Sequence, residues 1–176
     1  RVRLRDPRTG VISTFAGTGA GSATPDEAPL AGTPLRAPRS IDFSPDGLLY
    51  LVLREGNQVF VIDPSRGILK RVAGTGRTGY DGDNVPASEA AVQGPKGIAY
   101  APDGSLYIAD TENHVIRRVS LRDGIVTTVA GTGARGDGPD GDPLKCALAR
   151  PHGVHVSGGL LLIGDAENKR IRALEI

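Results

Sequence analysis

A five-residue string sets the limits on what this chain can become. "FAGTG" at 15–19 returns as "VAGTG" at 72–76 and again at 129–133, so that Ala16, Ala73 and Ala130 stand 57 residues apart each time. Other landmarks keep the step: Gly10, Gly67 and Gly124; Gly47 and Gly104 in "SPDG" and "APDG"; and Pro38, Pro95 and Pro151, the last interval being one residue shorter. A fixed period of this size marks a repeat architecture, in which one supersecondary unit stacks on copies of itself. The 25 Gly and 13 Pro are more than an ordinary globular chain carries. They fall on these landmarks, so they read as turns and not as disorder.

Between the landmarks lie short runs of β-formers: "SIDFS", "LLYLVL", "QVFVID" and "ILKRVAG" in one unit, "GIAYA", "SLYIAD", "VIRRVS" and "IVTTVAG" in the next. Pro-Asp-Gly between two such runs is a hairpin turn, because Pro fixes φ and Gly accepts positive φ. Each unit therefore predicts a four-stranded antiparallel meander. Helical signals are confined to the loops after AGTG, where "ASEAAV" at 87–92 and "PLKCALA" at 143–149 each suffice for one or two turns. Repeated four-stranded meanders predict an all-β fold, a β-propeller with the first strand of each blade innermost and the fourth outermost. On this reading AGTG ends the outermost strand and turns the chain into the loop that crosses to the next blade. One domain spans 1–176, with a partial blade over 1–37, blades over 38–94 and 95–150, and a partial blade over 151–176.

"GPKGIAYAPDGSLYIADTENHVIRRV" at 94–119 resembles an NHL repeat, and "AGTGRTGYDGDNVPASEAAVQGP" before it is similar to the long inter-blade loop of bacterial NHL proteins. "RPHGVHVSGGLLLIGDAENKRIRAL" at 150–174 is a second copy. A third, at 37–63, has Leu53 where the others have Asp110 and Asp165. The resemblance implies a ring of six blades, of which 13 predicted strands make about half. Either further blades or a second copy of the chain is expected to complete it, since open strand edges and bare blade faces are avoided by closure or pairing. The family also favours an extracytoplasmic or secreted setting.

Charge is nearly balanced, with 21 Lys and Arg against 20 Asp and Glu, so bulk charge gives no argument for nucleic acid or an anionic membrane as partner. No apolar run approaches the ~20 residues of a membrane span, and a soluble chain is expected. Cys146 is the only cysteine, which excludes an intrachain disulfide. The chain has no methionine and opens on Arg1, reading as a mature, excised or trimmed piece.

Asp110, Asn113, Asp165 and Asn168 recur at one blade position. Acidic residues in pairs suggest metal or acid–base chemistry, but a repeated position more often fixes a strand corner by bonding backbone amides; a structural role is expected. Asp81, Asp83, Asp137, Asp140 and Asp142 lie among glycines in the crossover loops, where alternating Asp and Gly supply some of the six to eight oxygens calcium takes. No EF-hand pattern is present, solvated turns are the favoured reading, and no cofactor is expected beyond that calcium option. His152 and His155 flank a strand start and point to opposite faces, against a shared zinc site. Cys146 occupies the place of Ala90 and reads as a buried thiol.

Arg39, Lys96 and His152 each follow the landmark proline and so open the innermost strand of successive blades. Gathered at one mouth of the channel, they form a local positive rim, with His152 contributing charge once protonated below about pH 6.5. The expected function is a non-catalytic binding or scaffold module that recognises a protein or a small anionic ligand there. Two alternatives stand beside it: part of a metal-dependent propeller lyase or hydrolase completed by other blades, and single-stranded RNA binding. The latter wants aromatic platforms, and four Tyr, three Phe and no Trp make nucleic acid the weakest choice.

Overall fold

The computed structural model describes residues 1–176. β1 (Val2–Arg5) and β2 (Ile12–Ala16) form a two-stranded sheet. A second sheet holds β3 (Ala28–Pro29), β4 (Pro38–Phe43), β5 (Leu49–Leu53), β6 (Gln58–Asp63) and β7 (Ile68–Ala73) in the order β3-β7-β6-β5-β4. The third repeats it, with β8 (Val85–Pro86), β9 (Gly97–Tyr100), β10 (Ser105–Asp110), β11 (Val115–Ser120) and β12 (Ile125–Ala130) in the order β8-β12-β11-β10-β9. The fourth is β13 (Gly153–Ser157), β14 (Leu160–Asp165) and β15 (Arg170–Glu175) in sequence order. All pairings are antiparallel meanders, and the sheets are propeller blades.

Two features depart from the reading of the sequence. Each complete blade has a fifth, two-residue strand donated by the crossover loop: Ala28 and Pro29 pair with Leu69 and Ile68, and Val85 and Pro86 with Val126 and Ile125. Two residues carry no periodicity, and a proline, which lacks an N–H, suits only such an edge. The loop segments at 87–92 and 143–149 make single turns and no α-helix, closed by Ala90 N–H to Pro86 O at 3.1 Å and Lys145 N–H to Asp142 O at 3.0 Å. The one helical element is a 3-10 turn at Thr111–Asn113 in the β10–β11 corner, ended by His114 at φ 57°.

The recurring AGTG has a physical explanation. Gly74 and Gly131 hold φ of 84° and 96°, and a side chain on either would collide with backbone of the preceding corner, at Asn57 O and His114 O respectively. Their N–H groups dock on the next crossover loop, on Ala87 O and Pro143 O, both at 2.9 Å.

The core lies between blades. Val52, Val59, Ile98 and Ile108 join the second and third; Tyr107, Ile116, Leu161 and Ile163 join the third and fourth; Leu51, Phe60 and Leu69 meet the first two-stranded sheet around Ala16. Middle strands β5 and β10 are buried at every position, since neighbours cover both their faces. That is why "LYLVL" and "SLYIAD" run without strict alternation. At the two ends of the row the covering stops: Ile41 and Phe43 on β4 are 45% and 57% exposed, and Ile171 on β15 is 79% exposed.

Candidate functional site

The repeated Asp and Asn build the corners between the second and third strands. Asp110 Oδ1 accepts from Gln93 N–H at 2.7 Å, and its Oδ2 accepts from Asn113 Nδ2 at 2.8 Å, which also donates to Gly79 O at 2.7 Å. One blade on, Asp165 accepts from Ala149 N–H and from Asn168 Nδ2, and Asn168 reaches Gly136 O, all at 2.8 Å. Both aspartates are fully buried. Burial pushes Asp110 up to about 6, against the pull of Asn113, Gln93 and Arg117. Each carboxylate thus ties a strand corner to the incoming crossover loop. The second blade solves the same problem without charge: Leu53 replaces the aspartate, Phe60 stands where the third blade has Arg117, and Thr24 Oγ1 accepts from Arg36 N–H at 3.1 Å.

The acidic crossover loops are held by arginines and amides. Asp81 accepts from Ala91 N–H at 2.9 Å; Asp83 accepts from Thr128 N–H and hydroxyl at 2.7 and 2.9 Å and lies 3.4 Å from buried Arg117, whose guanidinium stacks over Tyr80. Arg172 gathers Asp137, Asp140 and Asp165 at 2.6–2.8 Å. Asp142 accepts from Leu144 N–H at 3.0 Å and pairs with Lys145. No three His, Cys, Asp or Glu side chains converge as a metal-binding set, and guanidinium groups hold Asp83, Asp137 and Asp140 of the five loop aspartates. Cys146 is buried, and burial raises its thiol pKa. His155 is exposed on β13; His114 Nδ1 accepts from Arg150 N–H at 3.1 Å.

Of the three residues after the landmark proline, Lys96 and His152 meet directly. Lys96 is buried, and its Nζ lies 2.7 Å from Nε2 of His152 in the next blade. Burial lowers the Lys96 pKa most, followed by Arg150, with Arg54 and Arg39 adding to the effect and Glu112 opposing it. His152 is lowered by burial first, then by Lys96, Arg150 and Arg39. A protonated His152 would set two cations in hydrogen-bond contact, and with burial the nearby Lys96, Arg150 and Arg39 hold the ring's pKa below the ordinary value, which weighs against His152 as a standing cation. The cations of the rim are Arg39, Arg54, Lys96 and Arg150. Arg39 and Arg54 are exposed, and neither makes an ion pair.

Sequence reasoning missed Arg54 and Arg150. The signals were there: Arg54 follows Leu53, where the repeat loses its aspartate, and Arg150 precedes landmark Pro151. Arg150 straddles two blades, with Nε to Glu112 Oε2 at 3.0 Å and Nη1 to Glu167 Oε1 at 3.1 Å. Glu55, Glu112 and Glu167 are themselves repeat equivalents. Between the second and third blades the bridging arginine is replaced by Gly94, where a Cβ would lie 2.8 Å from Glu112 Cγ. A polar cleft of about 440 Å³ lies there instead, lined by Arg36, Arg54, Glu55, Thr78, Gln93 and Glu112 among others.

An NHL repeat family model matches residues 93–118. NHL repeat-containing protein 2 of Gallus gallus is 34% identical over 113 residues, 64% of this chain and 15% of that protein; its Bos taurus counterpart is 26% identical over 99% of this chain and 28% of its own length. The chain therefore spans less than a third of the length of these relatives. Among solved structures, an auxiliary nutrient binding protein of Bacteroides thetaiotaomicron aligns over 97% of this chain and 42% of its own, with 22% identity and a TM-score of 0.71. A gluconolactonase of Xanthomonas campestris aligns over 92% and 48%, with 18% identity and a TM-score of 0.56. At such identities the two structures speak to fold alone, and both are compatible with the sheet order described above. The repeat match, the curated relatives and the blades together identify the chain as a run of β-propeller blades that carries an NHL repeat at residues 93–118.

Proposed function

We propose that these blades form a recognition module that binds a small organic anion, or a carboxylate group of a partner protein, at the rim made by Arg39, Arg54 and Lys96. The observation that carries this reading is a buried lysine acted on by two arginines that make no ion pair, Arg39 at the repeat-equivalent position and Arg54 at the neighbouring strand corner. Clustered charge between low-dielectric walls acts more strongly than on an open surface, and a guanidinium offers carboxylate a planar fork. The auxiliary nutrient binding protein shares the fold and is consistent with a binding role. A metal-dependent lyase or hydrolase would need ligands from outside these residues, because no metal-binding set converges within them. RNA binding has less behind it: Tyr50 and Tyr100 stack on each other within the strands, Tyr107 and Phe60 are buried, and of the exposed aromatics Tyr80 is covered by Arg117 and Phe43 lies on an end face. No helix is long and apolar enough to cross a membrane.

Calorimetric titration with citrate tests the reading. Saturable binding that weakens as salt is added, and that falls about tenfold or more in Arg39→Ala and in Arg54→Ala, is the expected result. Equal affinities in wild type and both variants would overturn it.

A further inference from the structure

Of the four lysines in the chain, three are ordinary surface cations. Lys70 and Lys145 are paired with Glu27 and Asp142 and are 63% and 80% exposed at the side chain, and Lys169 is exposed. Lys96 differs in every respect. It is 8% exposed, no carboxylate lies within ion-pair distance, and its Nζ contacts a histidine nitrogen at 2.7 Å. The charged groups that act on it are Arg150, Glu112, Arg54 and Arg39, and the one carboxylate among them is already held by Arg150 Nε at 3.0 Å. An amine that is desolvated and set among cations is made a better nucleophile, because both effects favour its neutral form over the charged one. A structural lysine bridging two blades would be expected to meet a carboxylate or a carbonyl; this one meets a base.

We propose that Lys96 is a nucleophilic amine and that the rim captures small 2-oxo acids reversibly, the carboxylate pairing with Arg39 or Arg54 and the carbonyl carbon forming a Schiff base with Nζ. The neutral amine attacks the carbonyl carbon, forming the C–N bond while the C=O π pair moves to oxygen. His152 Nε2, at hydrogen-bond distance, takes a proton from the new C–N nitrogen and passes it to that oxygen, giving the carbinolamine. The C–O bond then breaks, the hydroxide leaves as water with the second amine proton, and C=N remains. No oxidant or reductant is needed, and hydrolysis reverses the step. The proposal rests on the anion-binding reading for its carboxylate contact and adds to it a covalent bond that a plain anion cannot make.

The test is reductive trapping. The whole chain is incubated with pyruvate and sodium cyanoborohydride, then digested and mapped by mass spectrometry; lactate, which has the same charge and no carbonyl, is the parallel sample. The expected result is a reduced pyruvyl adduct on Lys96 formed at least tenfold faster than on Lys70, Lys145 or Lys169, and none with lactate. Lys96→Arg should abolish the site-specific adduct in a protein that keeps the wild-type circular dichroism spectrum and melting temperature. His152→Gln, which retains an acceptor but relays no proton, should slow the reaction several-fold at saturating pyruvate. Labelling spread evenly over the four lysines, or absent from Lys96 in a protein that still binds citrate, overturns the nucleophile and leaves the anion site standing. Loss of citrate binding in Arg39→Ala with trapping unchanged would instead overturn the carboxylate contact.

Discussion

At the scale of single residues, the two kinds of repeated polar position have separate work. Asp110 and Asp165 are spent on the fold: both are buried and surrounded by donors from the loop they anchor. Replacing Asp110 by Ala strands Gln93 N–H and Asn113 Nδ2, and should destabilise the protein by roughly 2–3 kcal/mol, measured by chemical denaturation. The rim residues are spent elsewhere, and His152 shows it through pH. Its folded pKa lies below the ordinary value, so between that lowered pKa and about 6.5 the unfolded chain binds the proton more readily and stability falls as pH drops. Asp110, raised to about 6, works in the opposite sense, favouring the folded state at low pH and losing that contribution as pH rises through about 6. His152→Gln should therefore lose less stability than wild type between about pH 7 and pH 5. Any His152-linked gain in citrate binding should set in at a lower pH than for an ordinary histidine, because the ring's pKa is lowered; pH-resolved titration of wild type and variant decides this.

At the scale of elements, the strands and their turns were legible in the sequence because a strand covered on both faces, or ended by Pro-Asp-Gly, leaves a local trace. The two-residue edge strands left none. Nor did the Thr24 hydroxyl, which does for the second blade what a carboxylate does for the third and stands 12 positions before its Arg36 partner in the crossover loop. The rim was half legible: repeat spacing brought Arg39, Lys96 and His152 to one position, but the hydrogen bond that decides protonation depends on how closely Gly97 lets two inner strands approach. A Cβ there would meet His152 O at 2.7 Å. The exchange of Asp110 and Arg117 for Leu53 and Phe60 is a matched pair, and it can be tested as one. Leu53→Asp alone should cost about 3–5 kcal/mol by burying an unpaired charge. Adding Phe60→Arg should recover part of that, with a favourable coupling of about 1–3 kcal/mol in a double-mutant cycle. An additive double variant would mean that the two blades do not share one corner design.

At the scale of the molecule, each blade is stabilised mainly by its neighbours, as in other repeat proteins. Ile41, Phe43 and Ile171 are exposed on the two end faces, and the solved relatives are more than twice as long as the part this chain matches. A 176-residue polypeptide of this sequence, studied alone, should self-associate in light scattering through those faces. Phe43→Lys should reduce that association. A monodisperse monomer at high concentration would show that the end faces tolerate water.

The central claim is that an anion is held at the rim and not at the buried arginines of the blade corners. Side-chain NMR reads this directly, with the Nε–H signals of Arg39 and Arg54 and the ring of His152 followed during citrate titration and Arg117 Nε–H as an internal reference. Saturating shifts at Arg39, Arg54 and His152, with Arg117 unmoved, are predicted. Shifts confined to Arg117 and other residues away from the rim, or no saturating shift at Arg39 and Arg54, would contradict the account.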